Sequence, residues 1–411
     1  MAFRYLHAAD LHLDTPFDGL SVTDPKLRER LVEASLAALD ELVATAIRES
    51  VSFVVLAGDI YDGADRGIRA QVRTLQATRT LDEAGIWTFI VHGNHDPVAS
   101  GPASGWTAVR QWPQRVHIFA ADRVEVRELV ASDGTRVTVS GISYPRRDVR
   151  EGLHLRFPGP EGEGFHLALL HANVGSVAAH LPYSPCRLEE LVATGYDAWA
   201  LGHVHTRQTL RVSAPFIAYP GNLQGRGFKP GERGAKGALV VQVDGPEVTH
   251  RFVELGPVRF EEVEVDAGPC GDLGAVVDSL QAAASRLATP GGTVLVRAVL
   301  TGRTAAYEDL AEEEPEALLT ILRDGTASSV HWAGVDVRVH PVADLAQLLD
   351  RQDIQGELAR GWAELRGAPP RAREALQAVD GLRGVAWTDE ELAGIADEAA
   401  DLAVFLLGVG A

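Results

Sequence analysis

The chain of 411 residues has only two cysteines, Cys186 and Cys270, far apart and in no metal-ligand spacing. Their scarcity argues against a disulfide framework and a zinc–thiolate site, and it fits a reducing cytoplasm. No apolar run approaches the ~20 residues that cross a bilayer, so no membrane span is predicted. No secretory leader is expected, because Phe3-Arg4-Tyr5-Leu6 already reads as a strand with Asp10 soon after it. There is no Gly-x-x-x-x-Gly-Lys-[Ser/Thr] loop, so any coupled ATP hydrolysis must come from another chain. Repeats and low-complexity tracts are also missing. Cationic residues are few: 38 Lys and Arg stand against 57 Asp and Glu, for a net charge of −19. This balance argues against a free-standing nucleic-acid coat, whose affinity comes from neutralising phosphates.

What is present is enough apolar residue, 46% of the chain, to bury a large core in two to three domains. Residues 3–9 read as a strand ending at Asp10-Leu11-His12. Asp24-Pro25 is a helix start, and Leu27, Leu31, Leu39, Leu42, Val43 and Ala46 follow at helical spacing. Residues 52–57 form a strand apolar on both faces, as a parallel sheet requires, and it ends in Gly58-Asp59-Ile60-Tyr61-Asp62. A helix over 67–84 leads to a strand at 87–92 and then to Gly93-Asn94-His95-Asp96. After a loop at 97–106, residues 124–145 alternate like an antiparallel pair. The strand 165–170 ends at His171, and the strand 196–201 ends at Gly202-His203-Val204-His205. Short strands continue to about 255 and suggest a second sheet packed on the first. From Gly256-Pro257 a smaller α+β unit begins, with strands at 258–266, 293–300 and 329–339 and helices at 271–287 and 308–323. Beyond 345 the chain reads as helical, with a capping box at Thr388–Glu391 and an apolar stripe from Leu392 to Leu406.

Five segments therefore end strands in Asp, Asn or His. Seven residues (Asp10, His12, Asp59, Asn94, His171, His203 and His205) form a borderline-hard donor set with no thiolate. Such a set suits Mn²⁺, Fe or Zn²⁺. Two cations ~3.5–4 Å apart that share one carboxylate would use all seven, lower the pKa of a bound water and clamp phosphoryl oxygens. Metal-assisted hydrolysis of a phosphate ester is the reaction class this implies. Taken singly, each segment has an ordinary structural reading; five in order do not. His7 and His92 read as core or supporting groups, and Asp96 as a brace for its loop.

Together these segments resemble the signature of the calcineurin-like metallophosphoesterase superfamily. Their order and context are most similar to the SbcD-type DNA double-strand-break-repair nucleases, a bacterial branch. The resemblance spans residues 10–205 and implies a four-layer α/β/β/α sandwich with a small α+β cap and a helical tail. Its domains would be 1–255, 256–345 and 346–411, the last a partner-docking segment. It further implies that Asp10, His12 and His205 hold one metal and Asn94, His171 and His203 the other, with Asp59 bridging. The metals would be Mn²⁺, with Mg²⁺, Fe or Zn²⁺ as alternatives. His95 would stabilise the transition state or protonate the leaving oxygen. The implied activity is exonuclease action on duplex DNA, with endonuclease action on single strands. The implied partners are an SbcC-type coiled-coil ATPase and a second copy of the chain.

Two readings of the residues go with this. A histidine acting as an acid needs its other ring nitrogen held, and Asp62, three residues past Asp59, is placed to hold His95. The turn Tyr219-Pro220-Gly221-Asn222-Leu223-Gln224-Gly225-Arg226 suggests a phosphate-binding surface through Asn222 and Arg226, joined by Arg207. The family more often carries Ser where this chain has Asn222. Residues 203–236 hold six basic residues against one acid, Glu232, and read as the DNA-facing side. The competing reading is a small-molecule or phosphoprotein phosphoesterase with the same metal site.

Overall fold

A computed structural model describes residues 2–15, 17, 24–62, 67–98, 109, 111–175, 183–289, 291–312, 315–342, 348–379 and 385–406. The chain divides into two compact units, Met1–Glu261 with Gly291–Val294, and Glu262–Pro290 with Leu295–Ala411.

The first unit holds two six-stranded sheets. In the first sheet, β1 (Phe3–Ala8), β2 (Phe53–Ala57), β3 (Trp87–Val91) and β4 (Val116–Ile118) run parallel. In the second sheet, β5 (Glu125–Val130) and β6 (Arg136–Gly141) form the expected antiparallel pair, and β7 (Phe165–His171) lies parallel to β6. The short strands β8 (Asn173–Val174) and β9 (Pro185–Cys186) pair with each other. Beyond them, β10 (Ala198–Gly202) runs parallel to β7, and β12 (Phe216–Tyr219) lies between β10 and β11 (Gln208–Arg211). The strands β13 (Gly237–Asp244) and β14 (Glu247–Glu254) return to the first sheet, with β13 antiparallel to β1. The first sheet is thus ordered β14-β13-β1-β2-β3-β4 and the second β11-β12-β10-β7-β6-β5.

Strand pleating sends alternate residues to opposite faces, and both faces are buried. From β1, Phe3 and Tyr5 point between the sheets, where they meet Phe53, Phe89, Leu167 and Phe216. Leu6 and Ala8 point outward onto helices α1 (Pro25–Arg48) and α2 (Ile68–Glu83), meeting Leu39, Leu42 and Leu81. Each such large side chain contributes roughly 1.5–3 kcal/mol on burial. On its far face the second sheet packs Trp199 and Leu201 against Leu153, Phe157 and Leu191. The fold is the expected layered α/β sandwich, with a thin outer layer there, since its helix α3 (Leu188–Val192) has 5 residues. Helix α1 starts as its sequence predicts: the Asp24 carboxylate accepts from the Lys26 amide at 2.9 Å, and Pro25 opens the first turn.

The second unit is built on the sheet Val258–Asp266, Thr293–Thr301, Val330–Val337. Within the span predicted as a helix over 308–323, the described residues are helical over Tyr307–Glu312 and Pro315–Asp324. The helices Ile354–Gly367, Pro369–Gln377 and Asp389–Leu406 follow. The capping box forms, with the Thr388 amide donating to Glu391 at 2.7 Å and the Glu391 amide donating to Thr388 Oγ1 at 3.2 Å. In the stripe it opens, Leu392 is buried and Leu402 is 42% exposed.

Candidate metal centre

The chemistry-bearing residues collect where the parallel strands of both sheets end, the usual place for a site in such sheets. The chain leaves β1 and β2 through left-handed backbone, with φ of 51° at Asp10, 43° at His12 and 50° at Asp59. Each such non-glycine residue costs on the order of 1–3 kcal/mol unless its surroundings hold it. Here the two exit loops are zipped together: the amides of Asp10, His12 and Leu13 donate to the carbonyls of Gly58, Asp59 and Ile60, each at 3.0 Å. Asp96 ties in the third loop. Its carboxylate accepts from the amides of Gly93 (2.8 Å) and Ile60 (2.9 Å) and meets His92 Nδ1 at 2.8 Å.

From the second sheet, His171 closes β7, and His203 and His205 follow β10. Glycine lets the sheets meet closely there. A Cβ on Gly202 would stand 1.8 Å from the Ala57 carbonyl oxygen, and one on Gly93 would stand 2.8 Å from the His171 ring.

The side chains converge. His12 Nε2 lies 3.2 Å from His205 Nε2, which lies 3.8 Å from Asp10 Oδ1. His171 Nε2 lies 3.3 Å from Asp59 Oδ2 and 3.0 Å from Asn94 Oδ1. The His203 amide donates to Asp10 at 3.0 Å, and its ring meets the His171 ring edge at 5.2 Å. Among the described residues, Asp10, His12 and His205 have ligand atoms within 4.8 Å of one another, and so do Asp10, Asp59 and His171.

This arrangement fits cations. Two imidazole nitrogens face each other between carboxylates that are 1% exposed. Burial pushes the Asp10 carboxyl up to about 6. Burial also works to raise Asp59, but the facing His171 imidazole overrides it and holds the carboxyl well below its usual range. Asp59 in turn lifts His171 to about 9, against the lowering effect of burial. The imidazoles are also aimed as ligands. The Nδ1 of His171 donates to the Ala57 carbonyl at 2.9 Å, and the Nδ1 of His205 meets Glu232 Oε1 at 2.6 Å, so each presents Nε2 to the centre.

Beside this cluster His95 Nδ1 lies 2.6 Å from Asp62 Oδ1, and the His95 amide donates to Asp59 at 2.8 Å. Burial works to lower the His95 pKa, but the hydrogen bond to Asp62 and the nearby carboxylates win and raise it.

The calcineurin-like phosphoesterase family matches residues 3–207, and the middle domain of metallophosphoesterase YhaO matches residues 260–331. An uncharacterized metallophosphoesterase YhaO of Bacillus subtilis is 34% identical over 86% of this chain and 88% of its own length. The chain belongs to the calcineurin-like phosphoesterases. It is therefore a phosphoester hydrolase of a family that works with a two-metal site. The DNA double-strand break repair protein Mre11 of Methanopyrus kandleri is 27% identical over 61% of this chain and 57% of its own length. A solved dimetal phosphatase from Danio rerio is 15% identical over 62% of this chain and 96% of its own, with a TM-score of 0.38.

The phosphoesterase departs from its sequence reading at the predicted phosphate-binding turn. Asn222 is fully buried, and its amide nitrogen donates to the Gln224 carbonyl and to Glu232 Oε2, both at 2.8 Å; it braces the turn and offers no surface to a phosphate. Arg226 reaches the site, but its Nη1 donates to Asp62 Oδ2 at 2.9 Å. Arg207 is exposed and lies over the Phe252 ring at 3.8 Å. Lys236 is buried and donates to the His205 and Gly231 carbonyls. Of the basic run, Arg226 and Lys236 are engaged by internal contacts, while Arg207 is exposed. Glu232, the lone acid of that run, had no place in the sequence reading, yet its carboxylate meets His205 Nδ1; its isolation among cations was the available signal.

Proposed function

We propose that this phosphoesterase is a two-metal DNA nuclease, an exonuclease on duplex DNA and an endonuclease on single strands, acting in DNA repair. Asp10, His12 and His205 hold the first metal, Asn94, His171 and His203 the second, and Asp59 both. When bound, the cations supply a water of lowered pKa and a clamp on phosphoryl oxygens. His95 delivers the proton on its Nε2 to the leaving oxygen, while Asp62 fixes its Nδ1 and so its tautomer and direction. The observation that carries the reading is this His95–Asp62 pair, at 2.6 Å, immediately beside the clustered ligands. The DNA substrate is supported by the Mre11 relatives.

The metal is Mn²⁺ in this reading, with Mg²⁺, Fe and Zn²⁺ as the alternatives to assay. The domains in this reading are the phosphoesterase over 1–255, an α+β domain over 256–345 and a tail over 346–411, and the tail docks an SbcC-type ATPase in a homodimeric, cytoplasmic assembly. Two features support such a partner: no phosphate-binding ATPase loop is present, and a net charge of −19 calls for help in reaching DNA.

Purified protein with Mn²⁺ should cut a labelled hairpin-capped duplex and a single strand, and Asp59→Asn should not. Turnover of aryl phosphodiesters with no DNA cleavage, unrestored by adding the ATPase partner, would sink the nuclease reading. It would favour the small-substrate phosphoesterase, which the internal use of Arg226 and Lys236 also favours. Activity on DNA that collapses steeply with salt speaks for phosphate-backbone contacts.

A further inference from the structure

Beyond the family's ligands, one acidic side chain touches both halves of the site. Residues 225–236 fold back over His205. The short turn Pro230–Glu232 is closed by the Glu232 amide donating to the Lys229 carbonyl at 2.8 Å. Lys236 clamps the turn by donating to the carbonyls of His205 and Gly231. Gly225 allows the close return, since a Cβ there would stand 2.2 Å from the Glu232 carbonyl oxygen.

Inside this turn the buried Glu232 carboxylate divides its two oxygens. Oε1 meets His205 Nδ1 at 2.6 Å. Oε2 accepts from the Arg226 amide at 2.9 Å and from the Asn222 side chain at 2.8 Å. The Arg226 side chain then reaches Asp62 Oδ2 at 2.9 Å, and Asp62 Oδ1 holds His95. One contiguous hydrogen-bonded path therefore runs from His205 through Glu232 and Arg226 to Asp62 and His95.

We propose that Glu232 is a positioning residue with two outputs: it aims His205 Nε2 at the first metal, and through Arg226 it sets the carboxylate that orients the proton donor His95. The proposal rests on the two-metal reading but not on DNA as substrate. The physical grounds are tautomer and direction. An imidazole presents a lone pair at Nε2 only if Nδ1 keeps its proton, and a carboxylate on Nδ1 enforces that. Asp62 with both oxygens claimed, one by an arginine and one by His95, has no freedom to rotate away from the ring.

The test separates the outputs with Mn²⁺ titration calorimetry and with aryl phosphodiesters whose leaving groups run from p-nitrophenol to phenol. Glu232→Ala should weaken one of the two Mn²⁺ sites by about 10–100-fold and leave the other as in wild type. Arg226→Met should bind both Mn²⁺ ions normally. It should slow the phenyl ester, which needs a protonated leaving oxygen, by about 10²-fold more than the p-nitrophenyl ester. Glu232→Gln keeps the side chain's shape and serves if the alanine variant does not fold; it should show the same loss at one site. Wild-type Mn²⁺ binding by a folded Glu232 variant, or equal slowing of both esters in Arg226→Met, would overturn the proposal. A wild-type chain that binds two Mn²⁺ ions and cleaves aryl diesters but not DNA, even with its ATPase partner added, would end the nuclease reading alone.

Discussion

The two sheets of the first unit bring different chemistry to the same edge. The first sheet delivers Asp10, Asp59 and Asn94, with His12 and His95; the second delivers imidazoles only, His171, His203 and His205. The first sheet's residues are placed by their own backbone, through left-handed turns at φ of 51°, 43° and 50° and a ladder of 3.0 Å hydrogen bonds between neighbouring loops. Two imidazoles of the second sheet are aimed from outside their own strands, His171 by the Ala57 carbonyl of the first sheet and His205 by Glu232. The reason is chemical. A carboxylate carries two equivalent oxygens and serves wherever the backbone puts it, whereas a neutral imidazole has one lone pair and needs its other nitrogen engaged.

The strongest way to break this division is to remove the residue between the sheets' ligands. Asp59→Asn keeps the turn but halves the charge facing His171, and it should cut aryl-diester turnover about a thousandfold or more while reducing bound Mn²⁺. Plasma mass spectrometry of the dialysed protein checks the metal and steady-state assay the rate. Next come His95→Ala and Asp62→Ala, each expected to cost about 10²-fold in turnover with metal content unchanged. Because the two act as one unit, the double variant should be no slower than either single one; additive losses would separate them.

The close approach of the sheets is tested by Gly202→Ala. Its new Cβ would meet the Ala57 carbonyl oxygen at 1.8 Å, so backbone must move. A loss of about 3 kcal/mol and a lower melting temperature are expected, read by thermal and urea unfolding. The smallest effect concerns His7, a second tie between the sheets, whose Nε2 donates to the Leu201 carbonyl at 3.0 Å. Burial lowers its pKa to about 3, against an ordinary 6.5. Folded His7 stays neutral while the unfolded chain takes up a proton below pH 6.5, so stability falls as pH drops from 6.5 toward 3. At pH 5 the loss from this group is about 2 kcal/mol. His7→Asn should flatten the urea midpoint between pH 7 and 5 relative to wild type.

Much of this was readable beforehand. The strands were plain because two-sided burial in a parallel sheet demands unbroken apolar runs such as Phe53-Val54-Val55-Leu56-Ala57, and a polar residue that ends such a run falls at the sheet edge. Asp96 read as a brace because a third ligand-type residue in a four-residue turn has neighbouring amides to satisfy. The 222–236 segment misled for the opposite reason. Its Gly, Asn, Arg and Lys suit a phosphate surface, and the same groups equally suit a turn that folds inward. Sequence spacing carries no sign for that choice. Glu232 was hidden likewise, because its partners His205 and Asn222 lie 27 and 10 residues away.

The sequence by itself determined the strand order of chemistry: which strand tips carry carboxylate, amide or imidazole, and that no thiolate is among them. Those are properties of local composition and of the period-two burial of strands. Only the tertiary structure decided which nitrogen each imidazole presents, which cations are consumed by internal anions, and how near the two sheets stand. These depend on groups remote in sequence meeting within 3 Å or so, and on glycines whose missing Cβ counts only once the opposite carbonyl is in place.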